Sequence, residues 1–157
     1  MQVVEQLKQT SPERFLEIYT ALENQGFGPL DGEVAKAMKF RPQAIRKLPM
    51  EQRARRAQAI LISESNAEMA YELFGSYLMK TQKDLITSFL DETGVSHEEG
   101  MLDSDEGNSP DVSKLDDALK KLDSDYNSDD VTLYLSICAE QWSQSPEIEA
   151  AWRTRLG

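Results

Sequence analysis

The sequence predicts an all-α protein: a single-domain helical bundle of about six to eight helices around one long central helix (about 66–93), with an acidic loop at about 96–110. Three observations predict it. Apolar residues recur every three or four positions along most of the 157 residues, the period of a helix with one buried face. No stretch alternates apolar and polar residues as a half-buried strand does. The 8 glycines are too few for a turn-rich sandwich or barrel. At 39% hydrophobic and 29% charged, the chain has enough apolar surface for a core.

The elements follow in order. Ser11-Pro12 reads as an N-cap with proline at the first helical position. Phe15, Ile18, Tyr19 and Leu22 then form the inward stripe, and Asn24-Gln25-Gly26 reads as the stop. Gly26 to Gly32 is a turn-rich connection. Asp31 can cap a short helix carrying Val34, Ala35, Ala37 and Met38, which should end near Phe40 because Pro42 disfavours an α conformation at Arg41. Pro42 opens a second short helix with Ala44, Ile45 and Leu48. Pro49 opens a third, to about Ile62, with Ala54, Ala57 and Leu61 inward.

From Asn66 to Thr93 there is no proline, and Ala67, Ala70, Phe74, Leu78, Leu85 and Phe89 keep helical spacing. Such a helix would be roughly 40 Å long at 1.5 Å per residue. Gly75 inside it implies close approach of another helix, and Gly94 closes it. Ser96 to Pro110 reads as loop. Helices then follow from Asp111 to about Leu122, from Asp129 or Asp130 with Val131, Leu135, Cys138 and Trp142 inward, and from Pro146 with Ile148, Ala151 and Trp152. The expected domain is residues 1–157, with N-terminal helices in 11–63 and an acidic helical part in 64–157.

Several function classes are excluded early. One Cys allows neither an internal disulfide nor a Cys-based zinc site, and one His excludes any site needing two imidazoles. The start of the chain, MQVVEQLKQT, has no cationic region followed by an apolar block, and no apolar run nears the length of a membrane span. The expectation is a soluble, cytoplasmic protein with no membrane partner.

The net charge of −11 is unevenly spread. Residues 1–35 hold two basic and six acidic side chains. Residues 36–58 hold eight basic ones against Glu51 alone, and the remaining 99 residues hold seven basic and 21 acidic. The basic stretch suits an anionic partner or the protein's own acidic part.

Residues 34–48, VAKAMKFRPQAIRKL, resemble the helix-turn-helix segment of bacterial repressors. Ala35 stands where a small residue lets the helices cross, Val34 and Met38 flank it, Phe40 fills the turn, and Ile45 and Leu48 are the inward residues of the second helix. The turn position that is usually glycine is Lys39 here. The resemblance implies that Gln43, Arg46 and Lys47 lie nearest a major groove, with Lys39, Arg41 and Arg53 on phosphates. A pseudo-twofold operator would additionally need a homodimer.

Other chemistry is sparse. Asp123, Asp125, Asn127 and Asp129 match the first half of a calcium loop, but Ser128 replaces its glycine and Tyr134 its bidentate glutamate. His97, beside Glu98 and Glu99, suits a general base or a metal ligand less well than an exposed or capping residue. Cys138 falls on an apolar stripe as a buried thiol. No phosphate loop, dinucleotide fingerprint or nucleophile elbow occurs. The reading is a non-enzymatic regulatory or accessory protein, without cofactor or metal, that contacts nucleic acid through the basic segment. The alternative is an acidic helical interaction module for a basic protein partner, acting as adaptor, inhibitor or nucleic-acid mimic.

Overall fold

The computed structural model describes residues 2–24, 47–103 and 107–156. Eight α-helices occur among them: α1 Gln2–Gln9, α2 Pro12–Asn24, α3 Met50–Leu61, α4 Ala67–Thr81, α5 Lys83–Glu92, α6 Leu115–Asp125, α7 Ser128–Gln141 and α8 Pro146–Leu156. The expected connection at Gly26–Gly32 and the short helices after Asp31 and Pro42 lie outside the described residues, except Lys47 and Leu48. The all-α expectation holds. The backbone groups into two compact units, Val3–Tyr77 and Leu78–Gly157, whose division falls inside α4 rather than near residue 63.

In the first unit, Ser11 caps α2 by accepting the Arg14 N–H on Oγ at 3.1 Å. Phe15, Ile18, Tyr19 and Leu22 are buried as the spacing requires, and α2 packs against α3 through Ala54, Ala57 and Leu61. Helix α1 was not expected, although Val3, Val4 and Leu7 stand at helical spacing and are fully buried. It is tied in where the Gln58 side chain donates to the Thr10 carbonyl at 2.9 Å.

The expected single helix over 66–93 is two helices. Lys80 to Asp84 are five polar residues in succession, so no buried side chain enforces continuity there. Gln82 leaves the helix at φ −135° and ψ 40°. Its N–H still bonds the Leu78 carbonyl at 2.7 Å, while its own carbonyl accepts from Leu85 at 3.1 Å and starts α5. The seven-residue step from Leu78 to Leu85 is two helical turns, so the apolar phase survives the break. Gly75 is a second correction: a Cβ built there meets nothing within 4 Å among the described residues, so it marks no close approach of a described helix. Gly75→Ala is therefore expected to raise stability by about 0.5–1 kcal/mol and the Tm by about 2–4 °C. A calorimetric Tm that stays level or falls would contradict this.

In the second unit, α5 ends in a Schellman turn: the Val95 N–H reaches the Leu90 carbonyl at 2.9 Å and the Gly94 N–H reaches Asp91 at 3.4 Å, with Gly94 at φ +75°. The most enclosed element is α7, buried continuously from Leu133 to Ala139. It packs on α8 through Ile148 and Trp152, and Tyr134 meets Phe89 edge-on with centroids 5.3 Å apart. Asn127 caps α7 through the Asp129 N–H at 2.8 Å, so this helix starts one or two residues before the expected aspartates. Asp111 caps a 3₁₀ turn, Val112–Lys114, that leads into α6.

The expected loop at 96–110 contains a small antiparallel hairpin, β1 His97–Glu98 and β2 Met101–Leu102, with His97 opposite Leu102 and Glu98 opposite Met101. Its turn residues, Glu99 at φ 51° and Gly100 at φ 91°, both lie in the left-handed region, as the tight hairpin turn matched to strand twist demands. Two-residue strands are too short to show alternation, which is why no strand was expected.

Candidate functional site

Of the six residues expected to contact nucleic acid, Lys39, Arg41, Gln43 and Arg46 lie outside the described residues. Lys47 is exposed just before α3. Arg53, expected on phosphates, is instead 9% exposed. It occurs four and eight residues before Ala57 and Leu61, on the inward face of α3, where small alanines leave room for its stem. Its Nη1 reaches Glu23 Oε1 at 2.6 Å, and its Nη2 lies 3.5 Å from Met50 Sδ. The inward spacing with Ala57 and Leu61 was the available signal. Among the described residues Arg55 pairs with Glu51, one turn away at 3.3 Å with both side chains 70% exposed, an arrangement worth little. Arg56 is exposed. The cationic groups that α3 offers to solvent are thus Arg55 and Arg56.

The charge imbalance has a sharper structural boundary than the sequence suggested. Residues 1–77 carry ten basic and ten acidic side chains, whereas residues 78–157 carry seven basic and 18 acidic. The entire net charge of −11 therefore belongs to the second unit. Four of its seven cations are engaged: Lys83 with Glu99 at 3.3 Å, Lys121 with Glu92 at 2.7 Å, Arg153 with Glu149 at 2.9 Å, and Arg155 with Asp123 at 2.7 Å; Lys80, Lys114 and Lys120 are exposed. Glu98, Asp103, Asp111, Asp116, Asp117, Asp125 and Asp129 are exposed. The Arg155 fork holds the Asp123 carboxyl below its ordinary range, and hydrogen bonds from Ser113 do the same for Asp111. The Glu92 carboxylate raises the Lys121 ammonium. These charges stay fixed at neutral pH.

The remaining candidates are structural. His97 Nδ1 accepts the Gly100 N–H at 3.0 Å, while Nε2 lies 2.7 Å from Asp91 Oδ1. An amide N–H can only donate, so the imidazole that satisfies both contacts carries its proton on Nε2. It clasps the hairpin turn to α5. Burial pushes the Cys138 thiol far up, leaving it unreactive at neutral pH. The half calcium loop is occupied otherwise: Asp123 by Arg155, and Asn127 by its own cap. No group of three His, Cys, Asp or Glu placed to hold a metal occurs among the described residues. No helix there is long and apolar enough to cross a membrane.

One organising residue was missed altogether. The Asn108 side chain pairs with the Ser96 backbone in both directions, accepting its N–H and donating to its carbonyl, each at 2.8 Å. It also donates to the Asp103 carbonyl at 3.2 Å. Its own carbonyl accepts the Trp142 indole N–H at 3.2 Å. No local sequence pattern encodes that long-range pairing. These bonds join Asn108 to the base of the hairpin and to Trp142, just after α7. No family model, curated protein or solved structure matches the chain.

Proposed function

We propose that the chain is a non-enzymatic interaction protein whose second unit, residues 78–157, engages a basic polypeptide. The observation that supports this reading is the confinement of the whole net charge of −11 to that unit, with most of its described carboxylates exposed and four of its seven cations already paired. Such a field steers a cationic partner toward the unit and fixes its orientation. Arg155, Lys121 and Lys83 hold individual carboxylates in place without cancelling the field.

A second reading keeps the basic stretch 36–58 as a nucleic-acid contact through its helix-turn-helix resemblance. Lys47, Arg55 and Arg56, all exposed, favour it; the engagement of Arg53 by Glu23 removes one expected phosphate contact. Fluorescence anisotropy of the full chain with labelled octalysine, and separately with random-sequence duplex DNA, separates the two. The acidic-module reading expects octalysine to bind in the micromolar range at about 50 mM salt and to weaken at least about tenfold by about 200 mM, with duplex DNA unbound. Salt-sensitive DNA binding without peptide binding would overturn it in favour of the second reading.

A further inference from the structure

We propose that His97 is a proton-operated latch: a second proton on its imidazole, arriving at Nδ1, releases the Gly100 turn while Asp91 keeps the ring. The latch is independent of the acidic-module reading and rests on the polarity of two hydrogen bonds. The imidazole is nearly enclosed, its side chain 12% exposed, and both ring nitrogens are used. Nδ1 accepts the Gly100 N–H at 3.0 Å, and Nε2 lies 2.7 Å from Asp91 Oδ1. A neutral imidazole offers one acceptor and one donor. The turn takes the first and the carboxylate takes the second.

An imidazolium offers two donors and no acceptor. An Nδ1–H would face the Gly100 N–H head-on, so that bond cannot persist in the closed geometry. The Nε2–H bond to Asp91 becomes charge-assisted and is kept. Because Asp91 holds the ring in both forms, its charge moves the pH of the transition without changing its direction. The closed turn binds one proton fewer than the open one, so acid favours opening. Other charged side chains on the elements that meet the hairpin are Lys80 near the end of α4, Lys83, Asp84 and Glu92 on α5, and Glu98, Glu99 and Asp103 along the hairpin. Lys83 is held by Glu99 and Glu92 by Lys121.

Opening is confined to the tip. At the base the Asp103 N–H bonds the Ser96 carbonyl at 3.1 Å, a bond with no titrating partner. At the tip a Cβ built on Gly100 would lie 3.3 Å from Met79 Sδ and 3.5 Å from Ile86 Cγ2, so the closed turn covers those side chains. The Lys83–Glu99 pair also spans tip and α5, but at 44% and 81% exposure it adds little. Lifting the turn therefore uncovers Ile86, buried when it is closed, and carries Glu99 away from α5.

NMR of the full chain between about pH 8 and 5, where ordinary imidazoles change charge, tests the latch through two signals. These are the nitrogen shifts of the His97 ring and the solvent-exchange rate of the Gly100 amide. At the alkaline end the ring should carry its proton on Nε2. As Nδ1 gains a proton, Gly100 exchange, corrected for its intrinsic pH dependence, should rise about tenfold with the same midpoint. His97→Asn keeps an acceptor on a δ atom and cannot titrate, so its Gly100 exchange should stay level. Asp91→Asn should keep the transition and move its midpoint to lower pH. Circular dichroism checks that both variants fold, and the wild-type midpoints decide alone if one does not. A proton on Nδ1 at the alkaline end, level Gly100 exchange while the wild-type ring titrates, or a transition that survives in His97→Asn overturns the inference.

Discussion

Glu23→Ala is expected to destabilise the protein by about 2–3 kcal/mol, measured by urea denaturation at pH 7. The substitution removes the carboxylate from a guanidinium whose side chain is only 10% exposed, and a buried charge left without its partner costs far more than the pair itself contributes. The Glu23 side chain is 23% exposed, so water recovers part of the loss and keeps it below that of a fully buried pair. Replacing both members, as Glu23→Gln/Arg53→Met, should cost under about 1 kcal/mol, since methionine fills the inward position beside Ala57 without a charge to solvate. A double variant as unstable as Glu23→Ala would show that the ion pair itself, rather than the stranded charge, carries the effect. Because Arg53 is structural in this account, its replacement should leave octalysine binding unchanged.

Arg155→Ala is expected to cost about 2 kcal/mol at pH 7. Arg155 reaches both Asp123 oxygens, at 2.8 and 2.7 Å, and also donates to Thr132 Oγ1 at 2.9 Å and to Ser128 Oγ at 3.1 Å. One side chain near the end of α8 thereby fixes the end of α6 and the start of α7. The side chains are 17% and 40% exposed, so solvent screening keeps the loss below that of a fully buried charged pair. The fork lowers the Asp123 carboxyl from 3.8. A lowered folded-state value means the pair's contribution is complete above about pH 4 and disappears as pH falls through the depressed value. The stability gap between wild type and Arg155→Ala should accordingly be constant from neutral pH down to about 4, then narrow in stronger acid. Arg155→Lys keeps the charge but loses the planar fork, and should recover no more than about half of the loss. A gap that widens on acidification would contradict the assignment.

The elements legible in the sequence are those whose burial is periodic and whose ends carry caps. Ser11, Pro12 and the stripe from Phe15 to Leu22 located α2, Gly94 marked the end of α5, and Pro146 opened α8. What was illegible depends on contacts between residues far apart in sequence. The break at Gln82 hides behind a seven-residue apolar step that preserves helical phase. The hairpin is two residues deep, with Glu-Gly in place of the usual Asn-Gly turn, and the Asn108 pairing spans twelve residues. Arg53 was read as a phosphate contact because its charge outweighed its position. Its four-residue spacing from Ala57 placed it inward, where Glu23, thirty residues earlier, receives it. The acidic character of the candidate surface was plain from composition; its confinement to one unit required the structure.

The central claim is that the second unit receives a basic polypeptide, and backbone amide chemical shifts of the full chain titrated with octalysine test it most directly. Shifts gathered in residues 98–130, diminishing as salt rises, are the expected result. An unchanged spectrum, or shifts confined to residues 47–58, would contradict it.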